Sequence, residues 1–268
     1  MRFTYDHDLH IHSGLSLCSN DPEQNKEFML RYAEENNLKT ICVTDHFWDE
    51  KVDVERFQYY RDQNYAYISQ IKPLPQSKNV RFLFGCETDL SKDMQLGLSK
   101  ERYDLFDFIV IPTTHLHFAP LTISKEDSAS TERRAQLWTE RFDAVLNMDL
   151  PFHKTGIAHL TCGLMAKPNE LLATLQKISL MEAERLFKKA ASVGVGIEIN
   201  VGDAMHFEGE TKDICLKLYQ IAKDCKCKFY FGSDAHHPKS FEKCRGYFEQ
   251  AINLLELKES DKFIIENN

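Results

Sequence analysis

The chain has 268 residues, 43% hydrophobic and 28% charged, with 33 basic against 41 acidic side chains and a formal charge of −8. That composition excludes a disordered or collagen-like chain and supplies ample apolar material for a buried core. The negative balance disfavours nucleic acid as a partner, and no stretch approaches the roughly 18 apolar residues a membrane span needs.

The predicted elements alternate along the chain. Strand-like apolar runs fall at Tyr5 to His12, Thr40 to Thr44, Val80 to Cys86, Phe106 to Pro112, Gly156 to His159, Val195 to Asn200 and Lys228 to Gly232. Helical patterns lie between them. Asp21-Pro22-Glu23-Gln24 reads as a capped helix start, with Phe28, Tyr32 and Ala33 on one face. Trp138, Phe142 and Val145 keep helical spacing, as do Phe241, Cys244 and Phe248. Seven strands alternating with helices predict a parallel α/β architecture. With no repeat, low-complexity tract or Gly/Ser linker in view, residues 1–268 are expected to form a single domain. The first residues, Met1-Arg2-Phe3-Thr4-Tyr5-Asp6, lack the apolar core of a secretory signal. Eight cysteines in such a chain read as reduced thiols, which predicts a cytoplasmic location.

Every predicted strand is followed by polar or ionisable residues. In parallel strands these collect at one rim, which favours a closed barrel over a doubly wound sheet. His10-Ile11-His12 comes first; residues two apart on a strand share a side, so both imidazoles can reach one cation. Val43-Thr44-Asp45-His46 ends a second run in acid and imidazole, and Phe84-Gly85-Cys86-Glu87 ends a third in a carboxylate able to bridge two cations. His115 and His117 follow the fourth run, His159 the fifth, Asn200 the sixth, and Asp234, His236 and His237 the last. This many imidazoles and carboxylates exceeds the needs of one tetrahedral zinc. The nitrogen and oxygen mixture suits zinc, manganese or iron better than magnesium or calcium. Two or three divalent transition-metal ions bridged by Glu87 and water would activate water and clamp a phosphate ester; a metal-dependent amidohydrolase is chemically open as well.

In order, Asp8-Leu9-His10-Ile11-His12, Thr44-Asp45-His46, Gly85-Cys86-Glu87, His115, His159, Glu198-Ile199-Asn200 and Gly232-Ser233-Asp234-Ala235-His236 resemble the PHP family, the polymerase and histidinol phosphatase domain. The resemblance implies a distorted seven-stranded (β/α)7 TIM-like barrel with a trinuclear metal site at its rim. It implies one metal at His10, His12, Glu87 and Asp234, and a second at Glu87, His115 and His159. The third would take His46, His236 and the residue eight positions after the first histidine, which here is Cys18 in place of the histidine or aspartate of many members. Cys18 is then either a thiolate ligand, suited to zinc or iron and poorly to manganese, or a reduced loop thiol beside a position completed by water.

Catalytic roles are expected for Glu87, Asp234 and His236, with Asp45 orienting a ligand or shuttling a proton. His117, Asn200 and His237 are candidate substrate contacts, with His117 also an alternative to His115. Arg133, Arg134 and Lys154 are either phosphate contacts or a solvated face; His7, His153 and His206 read as packed or surface residues. The family's substrates imply a phosphorylated small molecule, with histidinol phosphate the leading expectation at this chain length. A nucleotide or cyclic-nucleotide phosphoesterase on the same site is the first rival. A non-catalytic PHP module would need a depleted ligand set. An amidohydrolase would commonly place a lysine on a metal-bridging strand, and no lysine closes the strands read here.

Overall fold

The computed structural model describes residues 1–52, 60, 62–202 and 206–265. These residues form eight strands and seven α-helices in the order β1 (His7–Ile11), α1 (Lys26–Glu35), β2 (Thr40–Val43), α2 (Tyr65–Ile68), β3 (Arg81–Phe84), β4 (Cys86–Glu87), β5 (Ile109–Pro112), α3 (Thr131–Leu146), β6 (Thr155–Ala158), α4 (Leu171–Gln176), α5 (Leu180–Val193), β7 (Gly196–Asn200), α6 (Gly209–Asp224), β8 (Lys228–Gly232) and α7 (Cys244–Leu254). Each predicted strand is present. The first helix starts later than its sequence pattern indicates: Asn25, not Asp21, caps α1 by accepting from the Phe28 amide at 2.9 Å. Phe28 stays half-buried, and Met29, Tyr32 and Ala33 make the inward face.

All named strand pairs are parallel, in a three-stranded sheet β1-β2-β3 and a five-stranded sheet β4-β5-β6-β7-β8. Parallel strands send their C-terminal ends to one edge, so the polar residues that follow them gather there. Between β3 and β4 stands only Gly85. A Cβ at that position would lie 2.5 Å from the Phe108 carbonyl and 2.8 Å from the Cys42 sulfur, so no larger residue fits the turn from one sheet into the other. Backbone bonds run on through this turn, from Gly85 N to Val43 O at 2.8 Å and from Glu87 N to Asp45 O at 3.1 Å.

At the other margin β8 approaches β1. The Asp234 amide donates to His10 O at 2.8 Å and the His12 amide to Ala235 O at 3.1 Å. Asp8, buried beneath, accepts from the Ser233 amide at 2.9 Å and from the Tyr32 hydroxyl at 3.2 Å. β1 advances three residues, from Asp8 to Ile11, while β2 advances two, which marks a β-bulge at Leu9–His10. Bulges re-aim side chains, and this one falls where the first candidate ligand leaves the strand.

Two of the apolar clusters among the described residues surround these strands. The larger joins the strands to the helices; the smaller unites Leu9, Cys42, Leu83, Phe108, Val110, Ala158 and Tyr230 with Phe263 from the C-terminal segment. The Phe263 amide donates to Phe229 O at 2.8 Å, which seats its ring against Phe108 and Tyr230. No helix among the described residues is long and apolar enough to cross a membrane.

Helix α3 fixes the rim loops. Arg134, Trp138 and Arg141 share one helical face and all donate to loop carbonyls. Arg134 reaches Leu116 O at 3.2 Å and Met165 O at 2.7 Å, and the Trp138 indole reaches Leu160 O at 2.8 Å. Fully buried Arg141 donates to Thr113 O at 2.7 Å, Leu90 O and Thr122 O at 3.0 Å, and Ser91 O at 3.1 Å. Burial lowers its pKa to about 10 and nearby Asp89 opposes the fall, so it remains a cation at neutral pH.

Candidate metal centre

The C-terminal edge brings the predicted ligands together around Glu87. This carboxylate is buried, and among the described residues neither oxygen receives a well-directed hydrogen bond. Its neighbours are imidazole nitrogens: His46 Nδ1 at 3.0 Å, His12 Nε2 and His159 Nε2 at 3.4 Å, His10 Nε2 at 3.5 Å and His115 Nε2 at 3.9 Å. Asp234 completes the ring, 3.1 Å from His12 Nε2 and 3.5 Å from His10 Nε2. Four groups have ligand atoms all within 4.8 Å of one another: His10, His12 and Asp234; Glu87, His115 and His159; His10, His159 and Glu198; and His12, Cys18, His46 and His236. His12 serves two of these groups, and its ring stacks on His236 with centroids 4.2 Å apart.

Outward hydrogen bonds orient the imidazoles. His10 Nδ1 donates to Glu198 at 2.7 Å, His115 Nδ1 to Asp89 at 3.0 Å, and His236 Nδ1 to the Asp234 carbonyl at 2.6 Å. His12 Nδ1 donates at 2.9 Å to the Ser16 hydroxyl, which in turn donates to Asp45 at 2.8 Å. Each acceptor holds the ring proton on Nδ1 and turns the Nε2 lone pair inward, the arrangement a metal-ligating histidine requires. A buried carboxylate with no well-directed donor, facing a shell of inward lone pairs, fits a divalent cation. The residues present therefore suit the metals that the motif implies.

Sequence reasoning gave no role to Glu198, which it quotes only within a motif, or to Asp89 and Ser16. Glu198 reaches His10 because residue 232 is glycine: a Cβ there would overlap Glu198 Oε1 and lie 2.6 Å from His10 Cβ. The other Glu198 oxygen accepts from the His159 amide at 3.1 Å. Asp234 and His159 themselves adopt left-handed backbone, with φ of 52° and 60°. For residues with side chains this costs on the order of 1 kcal/mol each, and such strain concentrates at functional sites.

Several expected placements change. Asp45 stands behind the cluster: its carboxylate accepts from the Ser13 amide at 2.7 Å and from the Ser13 and Ser16 hydroxyls at 2.6 and 2.8 Å. It thus acts on His12 through Ser16, not on its neighbour His46 or on a reacting atom. His115 faces Glu87, whereas exposed His117 packs against Phe118 at the rim. His237 is exposed and pairs with Asp21 at 3.2 Å. Asn200 is buried; Oδ1 accepts from the Gly202 amide at 2.7 Å, while Nδ2 meets no acceptor among the described residues.

None of the three cations considered for phosphate reaches the cluster. Arg133 pairs with Asp127 and Glu140, Arg134 is held by carbonyls, and Lys154 donates to Tyr103 O and Phe106 O. His7 is packed, accepting from the Phe231 amide at 3.0 Å, and His153 and His206 are exposed.

The cluster is strongly coupled to protons. Burial alone would lower His10, but Glu198, Glu87 and Asp234 outweigh it and raise its pKa to about 10. His12 likewise overcomes burial through Asp234 and Glu87 and reaches about 9. Burial would raise Glu87 and Asp234, yet the imidazoles, His46 foremost for Glu87 and His236 for Asp234, hold both well below the carboxylate range. Burial would raise Cys18 too, but hydrogen bonds with His236 and His46 bring it to about 4.

In the metal-free protein, the raised histidines contribute stability that is complete below their unfolded pKa of about 6.5. It is lost as pH rises through about 9 and about 10. The depressed carboxylates contribute stability present above the unfolded carboxylate range and lost as pH falls through their folded values. Cations and protons compete for the same atoms, so metal uptake is expected to release protons and to strengthen from about pH 6 to about pH 8. Titration calorimetry in buffers of different ionisation heat measures this directly. Uptake without proton release would contradict the raised pKa values of His10 and His12.

The PHP domain family profile matches residues 8–202. A probable phosphatase of Caldicellulosiruptor bescii is 20% identical over 239 residues, covering 88% of this chain and 82% of the relative. Among solved structures, the putative histidinol phosphatase of Listeria monocytogenes aligns with a TM-score of 0.64 at 15% identity, covering 91% of this chain and 99% of that one. The histidinol phosphate phosphatase of Lactococcus lactis, crystallised with zinc, L-histidinol and phosphate, aligns with a TM-score of 0.55 at 17% identity, covering 92% and 93%. With more than half its length matched by the profile and both likenesses spanning nearly the whole chain, this protein belongs to the PHP domain family.

Proposed function

We propose that the chain is a metal-dependent phosphoric monoester hydrolase acting on a phosphorylated small molecule, with histidinol phosphate the leading substrate. The observation that carries this reading is the shell of imidazoles with inward lone pairs around the buried carboxylate of Glu87. The zinc, L-histidinol and phosphate bound by the Lactococcus lactis structural neighbour support it. We read residues 1–268 as one cytoplasmic domain, consistent with eight free thiols. We read its two sheets as a distorted seven-stranded barrel, with β3 and β4 one strand interrupted at Gly85 and the β1–β8 margin closed by the bonds at His10 and His12.

His10, His12, Glu87 and Asp234 would hold one divalent ion, and Glu87, His115 and His159 a second. His46, His236 and Cys18, with His12 beside them, would hold a third. Zinc, manganese or iron bound there would supply Lewis acidity and an activated water for attack at phosphorus. The chain's own residues do the rest. Glu87 gives both oxygens to the centre, while Glu198, Asp89 and the Ser16–Asp45 pair keep the imidazoles aimed. Asp234 and His236 side chains are about a quarter open, at 25% and 23%, so substrate meets the cluster from their side. His117, Asn200 and His237 are the candidate contacts to the rest of the substrate.

Phosphate release is the direct test, run on protein reconstituted with zinc, manganese or iron against histidinol phosphate, sugar phosphates and nucleotides. The expected result is the highest kcat/KM for histidinol phosphate. A preference for nucleotides would keep the chemistry and change the substrate. Silence toward every ester with the metals bound would overturn the hydrolase reading in favour of amide hydrolysis or a binding role.

A further inference from the structure

The eight cysteines divide by accessibility. Cys42, Cys86, Cys162, Cys215, Cys227 and Cys244 are buried and Cys225 is half-buried, whereas Cys18 is exposed. The same sulfur takes part in a four-residue cluster with nitrogens of His12, His46 and His236, all four atoms within 4.8 Å of one another. Independently, Glu87 points to a cation beside this cluster: its buried oxygens lack well-directed hydrogen bonds and lie 3.4 Å from His12 Nε2 and 3.0 Å from His46 Nδ1. The loop that carries Cys18 is held in place. Ser16 N bonds Ser13 O at 3.1 Å, Ser19 N bonds Ser16 O at 2.9 Å, and the Ser19 hydroxyl donates to His236 O at 2.5 Å. Cys18 thus sits on a braced turn that is tied to another member of the cluster.

We propose that Cys18 makes the outer metal position selective for thiophilic divalent cations and sensitive to peroxide, so that oxidation of its sulfur ejects that cation and a thiol reductant restores the site. The inference rests on the metal-site reading given under Proposed function and deepens it. The imidazole nitrogens of His46 and His236 with one thiolate, His12 standing beside them and committed to the neighbouring position, match the donor preference of zinc, ferrous or cobaltous ions, and thiolate is a poor ligand for manganese and magnesium. An exposed sulfur is also open to attack on a peroxide. A sulfur lone pair displaces hydroxide from hydrogen peroxide: an S–O bond forms, the O–O bond breaks, sulfur loses two electrons and the peroxide is reduced to water. The resulting sulfenic acid is a far weaker ligand than thiolate. Two small thiols reverse the step, giving Cys18 thiol, one disulfide and water. The inner groups, built from imidazole and carboxylate, contain no sulfur to oxidise.

The test uses the full chain reconstituted with cobalt(II) and, separately, with zinc. A sulfur-to-cobalt charge-transfer band is expected in the near ultraviolet. Equimolar hydrogen peroxide should abolish it, deliver one cation per chain to a chromogenic chelator, and leave Cys18 reactive toward a sulfenic-acid probe in peptide mass spectrometry. Dithiothreitol with added cation should bring the band back. Cys18→Ser should lack both the band and the peroxide-triggered release. Cys18→Asp, which offers an oxygen ligand, should keep the cation and ignore peroxide, so a folding defect is separable from loss of the sulfur. A band that persists in Cys18→Ser, equal release from Cys18→Asp, or oxidised Cys18 with its metal retained would overturn the proposal. Failure of the hydrolase reading looks different: every phosphoester would be refused while the band and the release remained.

Discussion

Glu87→Gln is expected to strip the cluster of metal and to lower phosphoester turnover by on the order of 10³-fold, the equivalent of about 4 kcal/mol of lost transition-state stabilisation. The substitution keeps the shape and removes one negative charge from the centre of five imidazoles. It also replaces one acceptor oxygen by an amide nitrogen whose hydrogens point at inward lone pairs. Both effects oppose a cation, and the loss should spread over more than one position because Glu87 lies within reach of ligands in several of the groups. Metal content per chain and phosphate release measured on the same samples check the result. Full metal occupancy with undiminished turnover would remove Glu87 from the centre and leave the imidazole shell unexplained.

Arg141→Met is expected to produce the largest loss of stability of any single change at the rim, about 4 kcal/mol. The arginine satisfies the carbonyls of Leu90, Ser91, Thr113 and Thr122 with no carboxylate bonded to it. Burying a guanidinium is costly, but the apolar replacement leaves four inward-facing acceptors without a donor, at roughly 1 kcal/mol or more each. The melting temperature should fall by roughly 10 °C. Arg141→Lys should recover only part of this, because an ammonium is a point donor and cannot span four carbonyls as a planar fork does. The loops concerned follow Glu87 and lead into His115, so metal affinity should fall in the folded variant as well. A shift of under about 2 °C would mean that water replaces the guanidinium readily.

Much of this architecture is legible in the sequence, and the reason is periodicity. Short apolar runs ending at His12, Thr44, Cys86, Pro112, His159, Asn200 and Gly232 mark buried parallel strands, and a parallel arrangement sends whatever follows them to one edge. Ligand candidates are therefore readable as strand-terminal residues. Their supports are not. Glu198 lies within an apolar strand and meets His10 only because β7 and β8 pair in register beside β1, with Gly232 leaving the space. Asp89 stands two residues past Glu87 in a run that draws attention to its first acid, and its partner His115 lies far along the chain. Asp45 orients a ligand, as one of its two sequence readings has it, but not the ligand beside it in the chain. Adjacency to His46 in sequence suggests a shared role, yet the loop Ser13–Ser16 folds over the carboxylate and couples it to His12 instead. The α1 boundary moved for a local reason: Gln24 is drawn inward to donate to His12 O and Ala235 O at 2.9 and 3.1 Å, which leaves Asn25 to cap the helix.

That last contact bears on how the protein is made. A ribosome delivers His10 and His12 long before Asp234 and His236, and the bonds between β1 and the segment after β8 join these distant stretches. Until β8 has emerged, Gln24 lacks Ala235, Asp8 lacks Ser233, and the first two histidines have neither Asp234 nor the Glu198 carboxylate seated under Gly232. A chain stopped short of Gly232 would carry Glu87, His115 and His159 but neither Asp234 nor His236, so two of the four groups would lack a member. The docking of the segment after β8 onto β1 is thus the step that brings the last two members into the cluster.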